Sequence, residues 1–379
     1  MRRTRITVAW ISLGLLAGAC GSSAHSASSS SQPAGATVVN QLGPAYDTAT
    51  STSVTLAGAG ANSIEPFFQR VFYDYHRKNS KTTVNYSPAG SSVGITDVEQ
   101  NTVDFGDTEI PMSSADLAKA NGTVLQIPVD LGGVAVSYNL PGVSTGLKLD
   151  GPTLAAIFDG TITKWNDPRI ASVTGVNNLP NLAIIPVHRA DSSGPGWDLD
   201  DYLIKTAPDW TSRIGTTKAS KTWPLAQVGI GEQLNTGVAN YIHQTPGTIG
   251  YVEYGYALQA GFTNAALKNQ AGSFVAPSIA AIAADAGRAA ALSSTNFSII
   301  DEAGSTSYPL ANFSWTLVYE KQADANKGLA LGKLIDYVIT TGQADAASLG
   351  YAPLPAAAEQ LSATTLSQLE SSAGAPLFS

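Results

Sequence analysis

IIPVHRADSSGPGWDLDDYLI, Ile184–Ile204, runs from a short β-branched stretch through a turn of Ser and Gly into Trp197, Leu199, Tyr202 and Leu203 at helical spacing. A strand–loop–helix unit of this kind leaves the first N–H groups of its helix without internal partners, here beside Arg189, Asp191 and Ser193. Three further segments share the layout. GAGANSIEPFFQRVFYDYH, Gly58–His76, puts Ile64, Phe67, Phe68, Val71, Phe72 and Tyr75 on one helix face behind a cap expected at Asn62 or Ser63. VNYSPAGSSVGITDVEQ, Val84–Gln100, calls for a cap at Ser91 or Ser92 and carries Ile95 and Val98 inward. GEQLNTGVANYIHQTPG, Gly231–Gly247, has Asn235 or Thr236 as its expected cap, Val238, Tyr241 and Ile242 inside, and Pro246 and Gly247 as a stop. Helix starts carry the positive end of the helix dipole and suit a small anion. Any one of them is ordinary capping; the set, together with Arg189, is what points to a ligand.

Strands are expected around Val54–Leu56, Thr83–Tyr86, Gly132–Tyr138, Ala183–Val187 and Thr316–Tyr319, alternating with helical patterns. Alternation of this kind predicts an α/β fold on mostly parallel sheets, and no solenoid or propeller period interrupts it. The roughly 325 residues beyond the N-terminal segments exceed what one hydrophobic core usually covers, so two lobes are expected.

The N-terminal segment reads as an export signal over residues 1–19: Arg2, Arg3 and Arg5 precede an apolar run from Ile6 to Ala19, too short to span a bilayer. It ends LLAGAC, which sets the single cysteine, Cys20, behind Ala17, Gly18 and Ala19, the pattern of a bacterial lipobox; an ordinary signal with an incidental cysteine is the alternative. Lipidation at Cys20, followed by a Ser- and Ala-rich tether over 20–52, predicts a domain held at the outer face of the cell membrane. One cysteine excludes an internal disulfide framework, and His25, His76, His188 and His243 lack ligand spacing, so neither metal nor cofactor is expected. The net charge is −8; without the three arginines of the leader, 18 basic residues face 29 acidic ones, which makes −11. Without a Lys/Arg stripe, such a chain is a poor nucleic-acid binder, although local donors can still hold a small anion.

The ordered string FDGTITKWNDPRI (Phe158–Ile170), HRAD (His188–Asp191) and TPGTIGYVEYGYA (Thr245–Ala257) follows GAGA at Gly58–Ala61, VNYSPAGSS at Val84–Ser92 and NTVDFG at Asn101–Gly106. From about Thr55 to the end the chain resembles the PstS-type phosphate-binding proteins, the substrate-binding subunits of the high-affinity phosphate importer. The resemblance implies a type II two-lobe periplasmic-binding-protein fold, with a cleft between lobes 53–128 plus 306–379 and 129–305, joined by two hinge strands. It implies inorganic phosphate as ligand, a monomer, and a membrane permease with ATPase subunits as partner. Carried over by position, Arg189 would be the charged donor and Asp191 its orienter. Ser193 and Gly194 would donate from one helix start, and Ser91 from the other lobe. Asn62 and Ser63 would also contact the anion, Ser63 through its N–H, and Glu109 would accept the proton of the phosphate.

Three positions depart from the family pattern: Asn62 replaces Thr or Ser, Glu109 replaces Asp, and Pro195 replaces Thr. Pro195 removes both an N–H and a hydroxyl, and at roughly 1.5–3 kcal/mol per anion bond the loss amounts to about two to four powers of ten in affinity. An ionised Glu109 would disfavour sulfate, which has no proton to offer it. Two other readings remain open: a divergent binder of another protonated oxyanion or a surface interaction protein, and a serine hydrolase using Ser92 within Gly90–Gly94, which matches G-x-S-x-G.

Overall fold

In a computed structural model of the chain, residues 52–287, 292–293 and 297–378 are described; the leader, Cys20 and the tether to residue 51 lie outside them. The largest sheet has nine strands. On one side Val54–Gly60 lies parallel to Thr82–Ser87 and to Phe105–Thr108. On the other, Ile185–Arg189 lies parallel to Ile230–Glu232 and to Thr248–Glu253. Two long strands join these groups. Val124–Tyr138 pairs antiparallel with Ala311–Tyr319 as far as Gly133, and with Thr248–Glu253 from Val134 onward. Ala311–Tyr319 in turn runs antiparallel to Phe105–Thr108.

The expected strands are all present, but the sheet is mixed rather than mostly parallel. The parallel pairs come from strand–helix–strand units, whereas the joining strands must run through from one group to the other and meet their neighbours head to tail. Val124–Tyr138 is buried almost throughout its fifteen residues, as a strand covered on both faces should be.

Helix Glu65–Lys78 turns Phe67, Phe68, Val71, Phe72 and Tyr75 inward, where Phe68 stacks on Phe72 at 4.6 Å and meets the Tyr86 ring edge-on at 5.1 Å. Helix Gly194–Thr206 buries Leu199, Tyr202 and Leu203, while Trp197 stays half-buried. Trp165 is core: its indole N–H donates to the Gly247 carbonyl at 3.0 Å. Caps fall differently from the sequence expectation at three helices. Helix Glu65–Lys78 starts after Ile64, Ser91–Glu99 after Gly90, and Leu234–Gln244 after Gln233, each without a side-chain cap. Ser193 does cap its helix, accepting the Gly196 N–H at 3.1 Å.

Candidate functional site

The carboxyl ends of strands converge on Glu109, the place where open α/β sheets bind ligands. Val54–Gly60 leads to Asn62 and Ser63, Phe105–Thr108 to Glu109, and Ile185–Arg189 ends on the arginine. Two glycines let the opposing loops touch. Gly90 has φ +107°, and a Cβ on it would stand 2.8 Å from the Ser192 carbonyl oxygen and 3.3 Å from Asp191 Oδ2. A Cβ on Gly194 would stand 1.8 Å from Glu109 Oε2. The Glu109 carboxyl therefore lies directly on the start of helix Gly194–Thr206. Beside it, Ser92 Oγ and Ser192 Oγ meet at 2.5 Å.

Arg189 is 2% exposed and forks onto Asp191, with Nε 2.7 Å from Oδ1 and Nη2 on Oδ2. Its backbone N–H donates to the Tyr251 hydroxyl at 3.0 Å. Asp191 Oδ1 also takes the Leu234 N–H at 3.0 Å, so one carboxylate orients the guanidinium and satisfies a helix start. His188 supports this loop through Nδ1, 3.1 Å from the Arg189 carbonyl, and stacks on Trp223. The Ser193 oxygen is used by Gly196, which leaves its O–H to donate elsewhere. Ser91 Oγ accepts the Glu109 N–H at 3.4 Å.

Asn62 has a different occupation from the one expected of an anion donor. Its Nδ2 donates to Glu65 Oε2 at 2.8 Å and to the Tyr256 hydroxyl at 3.1 Å, and its Oδ1 accepts the Asn235 N–H at 2.8 Å. An amide has two side-chain N–H donors and both are in use, so only the backbone N–H of Asn62 is left for an anion. Ser63 gives its carbonyl to the Tyr351 hydroxyl. Among the described residues no base hydrogen-bonds Ser92: it faces Ser192, His188 faces the Arg189 carbonyl, and His243 is exposed against Phe262. The hydrolase reading therefore lacks the nucleophile–base contact that it needs.

Glu109 is 4% exposed. Oε1 has one long contact, 3.4 Å from Asn312 Nδ2, and Oε2 has no hydrogen-bond partner among the described residues. Burial pushes its carboxyl up to about 7, against the opposing pull of the Ser63 hydroxyl and the Arg189 guanidinium. Around it lie four buried acids that the motif reading did not single out: Asp107, Asp130, Asp198 and Glu253. Asn312 Nδ2 also donates to Asp198 Oδ2 at 2.8 Å, Ser314 and Thr316 donate to Asp107, and the Gly133 N–H donates to Glu253 Oε1 at 2.8 Å. Burial first, and then the neighbouring carboxylates, push all four well above the ordinary carboxylate range. Asp107 had a signal in the sequence, since it stands only two residues before Glu109, near the end of the strand that leads to it; Asp130, Asp198 and Glu253 had none.

The described residues hold no cluster of three or more His, Cys, Asp or Glu side chains suited to a metal. A groove of about 710 Å³ lined by Asn101, Asp104, Tyr319 and Lys327 lies at the opposite end of these strands, where Asp104 is already paired with Lys327 at 2.8 Å.

Residues 32–341 match the PBP superfamily domain. Over 333 residues the chain is 36% identical to the phosphate-binding protein PstS of Pasteurella multocida, covering 87% of this chain and 95% of that one. The chain belongs to the PstS-type phosphate-binding proteins. Among solved structures, the high-affinity periplasmic phosphate-binding protein PfluDING, bound with phosphate, matches with a TM-score of 0.63 at 17% identity, over 81% of this chain and 92% of that one. The phosphate-binding protein of Stenotrophomonas maltophilia gives 0.61 at 18% identity, over 82% and 93%. At such identities the likeness establishes the fold, a two-lobe periplasmic-binding architecture. PstS-type proteins are extracytoplasmic substrate-binding proteins, and no helix among the described residues is long and apolar enough to cross a membrane.

Proposed function

We propose that this protein captures inorganic phosphate outside the cell and hands it to a membrane permease driven by ATP-hydrolysing subunits. The observation that carries this reading is the buried Arg189–Asp191 fork, gathered with Ser91, Ser193 and the Gly194 helix start around Glu109 in a chain of the PstS-type family. In the open state one half-site belongs to 53–128 with 306–379 and the other to 129–305. Phosphate accepts from Arg189, the Ser193 and Ser91 hydroxyls and the backbone N–H groups of Ser63 and Gly194, and donates its own proton to ionised Glu109. Asp191 holds the guanidinium in place rather than touching the anion. Closure then brings the half-sites together, and the permease reopens them. No covalent step is involved, and we assign no catalysis to Ser92. A lipid on Cys20 and the tether keep the capture domain at the outer face of the membrane.

Calorimetric titration of the purified full-length protein at about pH 8.5 tests the reading, where Glu109 is ionised. Phosphate is expected to bind at micromolar concentration or tighter, and sulfate to give no heat. Silence toward phosphate in a folded sample would sink it.

A further inference from the structure

The geometry points to a second class of ligand for the same site: once Glu109 holds a proton of its own, the cleft takes oxyanions that carry none, such as sulfate, beside phosphate. This rests on the phosphate-capture reading above and follows from the company Glu109 keeps.

Among the described residues, the acids facing it come from four elements. Asp107 approaches from strand Phe105–Thr108, Asp130 from Val124–Tyr138, Asp198 from helix Gly194–Thr206 and Glu253 from Thr248–Glu253. The cation among them is Arg189, already forked onto Asp191; Lys205, paired with Asp201 at 3.0 Å, bears on Asp198 alone of the five acids. Tyr86 and Tyr351 are the other titratable neighbours, and burial with the adjoining acids holds both hydroxyls neutral. Ala311–Tyr319 contributes only uncharged groups, Asn312, Ser314 and Thr316. Five buried carboxyls beside one committed guanidinium cannot all be ionised, so the cluster holds protons near neutrality.

Glu109 is the member of the cluster that meets the ligand. Its Oε2 is buried, has no hydrogen-bond partner within bonding geometry among the described residues, with the Ser63 hydroxyl near the carboxyl, and is pressed on the Gly194 helix start. When ionised, Oε2 only accepts, so it selects an anion with a proton to give and repels one without. When protonated, Oε2 becomes a donor, and sulfate gains a hydrogen bond where it met a like charge. Phosphate is served in both states, because it can accept at one oxygen and donate from another. The push of the Glu109 carboxyl to about 7 by burial sets the window in which the change occurs.

The test is a set of calorimetric titrations of the full-length protein with sodium phosphate and with sodium sulfate, at about pH 8.5 and about pH 5.5, with circular dichroism at both. Sulfate affinity is expected to rise roughly thirtyfold on acidification, one proton's worth of linkage down to the midpoint, while phosphate affinity changes by less than about threefold. Glu109→Gln, a permanent donor, is expected to bind sulfate almost equally at both pH values. Phosphate binding with sulfate refused at both pH values overturns this inference and leaves phosphate capture standing. Refusal of phosphate at both overturns the two together. A sulfate response to pH that persists in Glu109→Gln overturns the assignment to Glu109. Should that variant not fold, the comparison of the unmodified protein at two pH values decides alone.

Discussion

At the scale of single residues, Ser193 carries two separable duties. Its oxygen caps helix Gly194–Thr206, and its hydrogen is left to donate, in the proposed function to the anion. Ser193→Ala should therefore lower unfolding stability by about 1 kcal/mol in urea titration, the usual worth of a cap. The same change should weaken phosphate binding by roughly tenfold to a hundredfold in calorimetry, since a bond to a charged ligand is worth more than a cap. Pro195 sits in the first turn of that helix, where its missing N–H breaks no helical bond, and the fold tolerates it for that reason. Restoring a donor with Pro195→Thr should tighten phosphate by about tenfold or more without altering the helix, as judged by calorimetry beside circular dichroism. Most of these polar residues were legible in the sequence because motif and chemistry agree there. Asn62 was not, because its donors are taken by Tyr256 and Glu65, the former 194 positions away.

At the scale of elements, the contact between Glu109 and helix Gly194–Thr206 depends on the absence of a side chain at Gly194. Gly194→Ala keeps a good helix former at the helix start, yet its Cβ would need the space of the Glu109 carboxyl. Phosphate affinity should fall more than tenfold by calorimetry, while the far-ultraviolet spectrum stays that of the unaltered protein. The strands and the apolar helix faces were readable because periods of two and of 3.6 residues are local properties. The caps at Ile64, Gly90 and Gln233 were not. There the hydroxyls and amides expected to cap are drawn off to partners in other elements, as with Asn62 and the Asn235 side chain, whose Oδ1 takes the Glu253 N–H.

At the scale of the whole molecule, the two sides of the cleft are also tied by Lys221, whose Nζ lies 2.7 Å from Asp116 Oδ2 while its carbonyl accepts from Ser192 and Ser193. Lys221 is partly exposed, so Lys221→Ala should weaken phosphate binding only about twofold to fivefold, with faster release in stopped flow, and the difference should shrink in high salt. The buried acids set a pH dependence of the opposite kind to the common one. Asp107, Glu109, Asp130, Asp198 and Glu253 are all raised in the folded state, so the native protein holds more protons than the unfolded chain. Their contribution is full below the ordinary carboxylate range and is lost as pH rises through the raised values. Asp116 moves the other way: burial would raise it, but hydrogen bonds from Lys221 and Ser113 outweigh burial and hold it below the usual range, so its contribution is lost only in stronger acid. Without ligand, the melting temperature should be higher at about pH 5 than at about pH 8 in calorimetric scans; the reverse order would show the acids to be ionised and paired. From the sequence alone came the α/β class, the family string, and Arg189, Asp191, Ser193 and Glu109 as the residues of interest, because periodicity and motif spacing are written along the chain. Only the tertiary structure decided the mixed sheet, the bonds that tie Asn62 to Tyr256 and Asn235, and the acid cluster around Glu109, because these depend on which carboxyls, amides and backbone groups the joined strands bring within a few ångströms of one another.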